Sequence, residues 1–129
     1  MEILINVAIG ELCDKITILQ IKKEKINNED KLKNITFELN QLEKELSKII
    51  SKPNSQFEKL FINLKKINET LWGIEDDIRI LEKEKQFDEK FIELARLVYK
   101  TNDYRFETKN KINLMFNSQI NEVKSYEEY

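Results

Sequence analysis

Between Ser55 and Lys85 the apolar residues Phe57, Leu60, Leu64, Ile67, Leu71, Ile74, Ile78 and Leu81 follow one another in alternating steps of three and four. A repeat held over that length keeps one narrow face of a helix apolar, and neither a strand nor a loop reproduces it. Pro53 closes whatever precedes it. Ser55 and Glu58 have the spacing of a capping box, in which hydroxyl and carboxylate each satisfy a backbone N–H. With a rise of about 1.5 Å per residue this helix is roughly 45 Å long. Nothing that long stands alone in water with one apolar face, so the rest of the chain, or a second copy, has to cover it.

The remainder divides at its turn residues into further helices. Residues 1–9 contain Glu2–Ala8 (EILINVA), β-branched but too short and solitary to found a sheet, and this stretch reads as an arm packed on the bundle. A first helix is expected over residues 10–26, with Leu12, Ile16, Leu19 and Ile26 on one face, Gly10 at its N-cap, and Glu11 and Asp14 in the first turn, where carboxylates favour the positive end of the helix dipole. The second, over residues 30–51, carries Leu32, Ile35, Leu39, Leu42, Leu46 and Ile49. The seam helix occupies 55–85, Asp88 is a fitting N-cap for a fourth helix over 89–122, and 123–129 is a polar tail. Short connections make successive helices antiparallel neighbours. The fold class expected is all-α: an elongated four-helix bundle of antiparallel coiled-coil hairpins, forming a single helical domain over residues 1–129. Exposed seam left on the long helices makes a homodimer the natural completion.

Composition narrows the function classes. Only 2 Gly and 1 Pro accompany 36% charged residues, which suits helices and not sheets or long loops. Net charge is −2 with acids and bases mixed along the chain, so the basic stripe of a nucleic-acid binder is missing. Cys13 is the one cysteine and there is no histidine, which fits a reducing, cytoplasmic setting. The apolar N-terminus lacks a basic flank and reads as neither a signal peptide nor a membrane span.

The informative departure is in the fourth helix. Its apolar face begins with Phe91, Leu94 and Val98 and resumes at Ile112 and Met115, but between them reads Thr101, Arg105 and Thr108. A seam that turns polar and recovers needs partners there, since an unpaired buried polar group costs roughly 1–3 kcal/mol. In a hairpin centred near Gln86, this level faces Asn68 and Trp72, and Trp72 itself lies off the seam. Asn68, Trp72, Glu75, Asp76 and Arg79 on one helix, facing Tyr99, Asn102, Asp103 and Arg105 on the other, form the candidate ligand site. Two readings compete. One is a polar layer that fixes register, with Arg105 paired to Glu75 or Asp76. The other is a pocket in which Arg105, with Arg79 or Arg96, grips a phosphate or carboxylate and Trp72 and Tyr99 supply stacking surface. Enzyme chemistry is less well served. Glu11, Asp14 and Glu75–Asp77 offer carboxylates, but helix two gives no inward E-x-x-E pair for a divalent metal, and capping accounts for Glu11 and Asp14. Cys13 has no evident activator and reads as a small core residue. No metal, cofactor or catalytic residue is assigned.

Several runs carry a resemblance. GELCDKITIL (Gly10–Leu19), NETLWGIEDDIR (Asn68–Arg79), FIELARLVYKTNDYRFETKNKIN (Phe91–Asn113) and VKSYEEY (Val123–Tyr129) resemble a bacterial and phage family of small helical proteins known as a domain of unknown function. The resemblance implies that the polar runs picked out by the pattern break lie in the family's characteristic segments. It also implies a genetic neighbourhood of surface-polysaccharide and glycosyltransferase functions, and it brings no catalytic residues. The expected function is that of a helical interaction or scaffold protein with a protein partner, associated with surface-polysaccharide assembly through that neighbourhood. The alternative is a small-molecule binder or enzyme for an anionic nucleotide or sugar-phosphate at the Trp72/Arg105 level.

Overall fold

The computed structural model describes residues 1–129 and contains four helices and no strand: α1 (Ile9–Lys25), α2 (Glu29–Ile49), α3 (Ser55–Lys83) and α4 (Glu89–Met115). The long α3 and α4 form an antiparallel hairpin. The first helix packs against both of them, and α2 covers α1 from the other side. As the only element touching the other three, α1 is buried on most of its circumference, from Ile9 and Gly10 to Leu19 and Ile21.

Local chemistry sets the ends. Asn28, Asn54 and Asp88 each accept a backbone N–H three residues on, capping α2, α3 and α4. The cap of α3 is therefore Asn54, and Ser55 of the expected capping box is instead the first helical residue. The hairpin turn closes with Lys85 at φ 55°, its N–H on the Glu82 carbonyl and that of Gln86 on Leu81. This is a Schellman ending without glycine. The same device ends α4 at Met115 rather than near Glu122: Asn117 takes φ 51° and Ser118 N–H reaches the Asn113 carbonyl. The chain beyond then turns back along α4.

The opening of α1 is different. Its N-cap is Ala8, which has no side-chain oxygen, and Gly10 lies inside the helix. The Gly10 N–H is satisfied by Asn113 Oδ1 of α4 at 2.7 Å, so the cap is supplied by another helix. A Cβ at Gly10 would sit 2.5 Å from the Lys109 carbonyl oxygen, and only glycine permits that approach. The arm expected to pack on the bundle does not: residues 1–7 are exposed, and burial begins at Ala8.

Two apolar clusters lie around α1, one joining Ile9 and Cys13 to Phe57, Leu64 and Ile112, the other joining Leu12, Ile16 and Leu19 to Ile35 and Leu39. A third, of Ile74, Leu81 and Leu94 with Ile78, Phe91 and Val98, belongs to the hairpin alone. The hairpin thus continues past the end of α1 as a pair of helices with no third layer.

Candidate functional site

The centre of the polar level is Asp14, a residue that sequence reasoning placed at a helix end. It lies on the stripe of α1 that runs Gly10, Asp14, Thr17, Ile21 and is 1% exposed. Its Oδ1 accepts from Asn68 Nδ2 of α3 and from Arg105 Nε of α4, both at 2.9 Å. Its Oδ2 accepts from Arg105 Nη2. Asn68 Nδ2 also donates to Thr17 Oγ1 at 2.9 Å, and that hydroxyl donates to the Asp14 carbonyl at 2.8 Å. One carboxylate therefore ties α1 to both long helices. The two-point contact with the guanidinium matches the planar fork of arginine to the carboxylate, a geometry lysine cannot provide.

A second tier lies one turn along α4. Lys109, buried, holds Glu11 at 2.8 Å and Glu122 at 2.9 Å, with Asp14 Oδ2 at 3.9 Å. Burial alone would lower the pKa of Lys109, but its hydrogen bonds to Glu11 and Glu122 outweigh it and the net shift is upward. Arg105 is likewise raised, first by the hydrogen bonds to Asp14, against the opposing effect of burial. Both cations stay charged at any physiological pH, and every charge in the cluster has an opposite neighbour. The Cys13 thiol beside it is pushed up to about 12, chiefly by burial and then by the charge of Asp14, so it packs as a small apolar group with no nucleophilic character.

The residues expected to form one ligand site are divided among three places. Asn68, Trp72, Glu75, Asn102 and Arg105 do converge, with Ile18, Ile21 and Leu71, around a cavity of about 250 Å³ between α1, α3 and α4. Tyr99 and Asp103 point away from it, toward the returning C-terminal segment. Asp76 and Arg79 are exposed on α3. The expected pairing of Arg105 with Glu75 or Asp76 is wrong: Arg105 belongs to Asp14, and Glu75 instead takes Arg79 one turn on, at 3.2 Å. The reason is geometric. An arginine on the flank of the α3–α4 seam faces the helix laid over the hairpin, and the nearest buried acid there is on α1. Its signal in the sequence was an acid spaced three from Thr17 and four from Gly10, beside the apolar face of Leu12, Ile16 and Leu19.

Fold and centre together define an all-α bundle whose polar core is internally compensated. By its match to the family model over residues 2–129, the chain belongs to a family of unknown function (DUF6165). Comparison with curated proteins and with solved structures finds no match. No helix is long and apolar enough to cross a membrane.

Proposed function

We propose that the protein is a helical interaction scaffold in which the Asp14–Arg105 clasp locks α1 into one register on the α3–α4 hairpin and the hairpin beyond it meets partners. The observation that carries this reading is the state of Arg105. Its Nε and Nη2 are both committed to Asp14, and its remaining terminal nitrogen, Nη1, faces Asn102 Oδ1 at 3.4 Å. Asp14 already neutralises the guanidinium, so its pull on a phosphate is weak. Support for a partner-binding role comes from the hairpin tip, where Ile80, Phe87, Ile92 and Leu97 are exposed although the interior cluster there is closed by two helices only. A second copy packed on that tip completes the layer in our reading. The lone cysteine agrees with a cytoplasmic setting, and the polysaccharide-assembly neighbourhood implied by the family resemblance names the first protein partners to try.

The alternative, an anionic small-molecule site, has the 250 Å³ cavity in its favour, with Trp72 on its wall and Asn68, Asn102 and Arg105 at its polar end. Against it, Glu75 also lines the cavity, and the arginine is already neutralised.

Thermal unfolding of wild type and Arg105→Ala against nucleotides, sugar nucleotides and divalent metals separates the two. A ligand at a hundred times its Kd adds about 2.7 kcal/mol of stability. The scaffold reading expects no rise for any compound and a lower midpoint for Arg105→Ala. A rise that the variant abolishes transfers the function to the cavity. Sedimentation of wild type against Ile92→Asp tests the second copy, which expects a dimer lost in the variant.

A further inference from the structure

All four tyrosines of the chain line one cleft of about 1010 Å³, formed where the C-terminal segment returns along α4. Tyr99 and Tyr104 stand on the helix, whereas Tyr126 and Tyr129 arrive on irregular chain, and Phe106 completes the aromatic lining. The segment is tied down at three points. Glu122 holds Lys109 at 2.9 Å. Lys124 donates to the Asn102 carbonyl at 3.3 Å and to Asp103 at 3.4 Å. The Tyr129 hydroxyl donates to Asp103 Oδ2 at 2.6 Å, and its ring meets Tyr99 edge-on at 5.3 Å. Even so tethered, Tyr104 and Tyr126 remain 62% and 82% exposed.

Two independent observations fix the chemistry that fits. The first is charge. Asp103, Glu107, Glu127 and Glu128 line the cleft against Lys100 and Lys124, and of these acids only Asp103 has an ion-pair partner. The second is that the aromatic faces already engage a cation. Lys124 Nζ stands 5.2 Å from the centroid of Phe106 and 5.7 Å from that of Tyr126.

We propose that this cleft docks a basic segment of a partner protein, its arginine or lysine side chains lying on Tyr104 and Tyr126 while Glu107, Glu127 and Glu128 take the charge. The inference rests on the reading of the protein as an interaction module and supplies what that reading lacks, the chemistry of the partner. Tyrosine gives large rigid contact area with little side-chain entropy to lose, which is why it anchors interfaces. Arginine is the favoured occupant, because its weakly hydrated plane both stacks on a ring and pairs with a carboxylate. The same excess of acids repels a nucleic acid or any other polyanion.

Fluorescence anisotropy with a labelled Arg-Gly-Arg-Gly-Arg peptide, and its Glu-Gly-Glu-Gly-Glu counterpart, tests the proposal on the full chain at physiological salt. The arginine peptide is expected to bind and the glutamate peptide not to. Tyr104→Ala, which changes no charge, should weaken binding about tenfold. Glu127→Gln/Glu128→Gln, set in irregular chain where no helix is at risk, should weaken it and flatten its salt dependence. Failure of the arginine peptide to bind overturns the inference. So does an unchanged affinity in Tyr104→Ala, since net charge alone would then account for the attraction. Either failure leaves the scaffold reading intact if a partner still binds at the hairpin tip, whereas an Arg105-dependent small-molecule hit overturns the scaffold reading itself.

Discussion

Removing both members of the Asp14–Arg105 pair should cost clearly less than the sum of removing each. In Asp14→Ala, three hydrogen bonds to the carboxylate vanish, and Asn68 and Arg105 lose the acceptor they share. Breaking a buried pair typically costs about 3–5 kcal/mol. The Arg105 side chain keeps 30% of its surface in water, so the stranded guanidinium recovers some hydration. The expected loss is thus at the low end, about 3 kcal/mol, or roughly 10 °C in Tm for a chain of this size. Arg105→Ala is worse, because Asp14 is 1% exposed and cannot be rehydrated without opening the bundle. It keeps only Asn68 and the more distant Lys109, at 3.9 Å. Its cost should reach about 4 kcal/mol. Because the two losses overlap, the double variant should be more stable than their sum by roughly 2 kcal/mol or more. Urea unfolding followed by far-UV circular dichroism closes the cycle. Single losses below about 1 kcal/mol that simply add would show the pair to be a screened surface contact and would refute the clasp.

The two glycines should respond in opposite directions to alanine. Gly10→Ala drives a methyl into the Lys109 carbonyl and Asn113 and should cost about 2–3 kcal/mol, whereas Gly73→Ala, with nothing within 4 Å, should gain about 0.5–1 kcal/mol; urea midpoints read both. Tyr129 has its pKa raised from 10.0 to about 12, first by its hydrogen bond to Asp103, and Asp103 is lowered by the same bond. The tyrosine's contribution to docking the C-terminal segment is therefore complete below pH 10.0 and lost as pH rises through about 12. That of Asp103 is complete above 3.8 and fails as pH falls through its lowered value. Phenolate absorbance should show one late-titrating tyrosine that Asp103→Asn returns to the ordinary range. Cys13, buried and raised to about 12, should resist thiol reagents in the native protein and react only through unfolding. A labelling rate independent of denaturant would show local access instead.

The helices were legible because their signals are local and repeated. The α3 seam, the breaks at Pro53 and Gln86 and the Asp88 cap can each be read within a few residues, and the structure has them. The end of α4 was not, because Asn117 supplies the left-handed turn in place of a glycine and the sequence beyond it keeps an unremarkable polar pattern. Asn68, Asn102 and Arg105 do share one polar level in the structure, and a break in an apolar stripe marks residues that need a partner. Which partner is a question of which helix lies over the hairpin, and periodicity carries no information on that. The acid in question had a cheaper local explanation as a favourable first-turn charge. Likewise Asn113 caps a helix more than a hundred positions away in the chain, and no window of sequence contains both groups.

The burial of a charged clasp in the middle of α1 bears on why the bundle has a single arrangement. Along its seam α1 offers residues of similar bulk, Leu12, Ile16 and Leu19, so a shift by one turn would bury much the same apolar surface. Such a shift would leave Asp14 opposite Leu64 or Leu71 and strand Arg105 and Asn68, at a cost of several kcal/mol. Register is then fixed by what the wrong alignments lose, as a single polar seam residue does in coiled coils. It follows that replacing the whole cluster by apolar residues of similar size, Asp14→Leu/Asn68→Leu/Arg105→Met, should leave the protein as stable or more so, by about 1–4 kcal/mol. What it should lose is uniqueness, read as broadened or doubled amide resonances and a shallower urea transition. A triple variant with sharp, singly dispersed resonances would show that Gly10 and its contact with Asn113 already hold the register, and the clasp would then be left without a structural task.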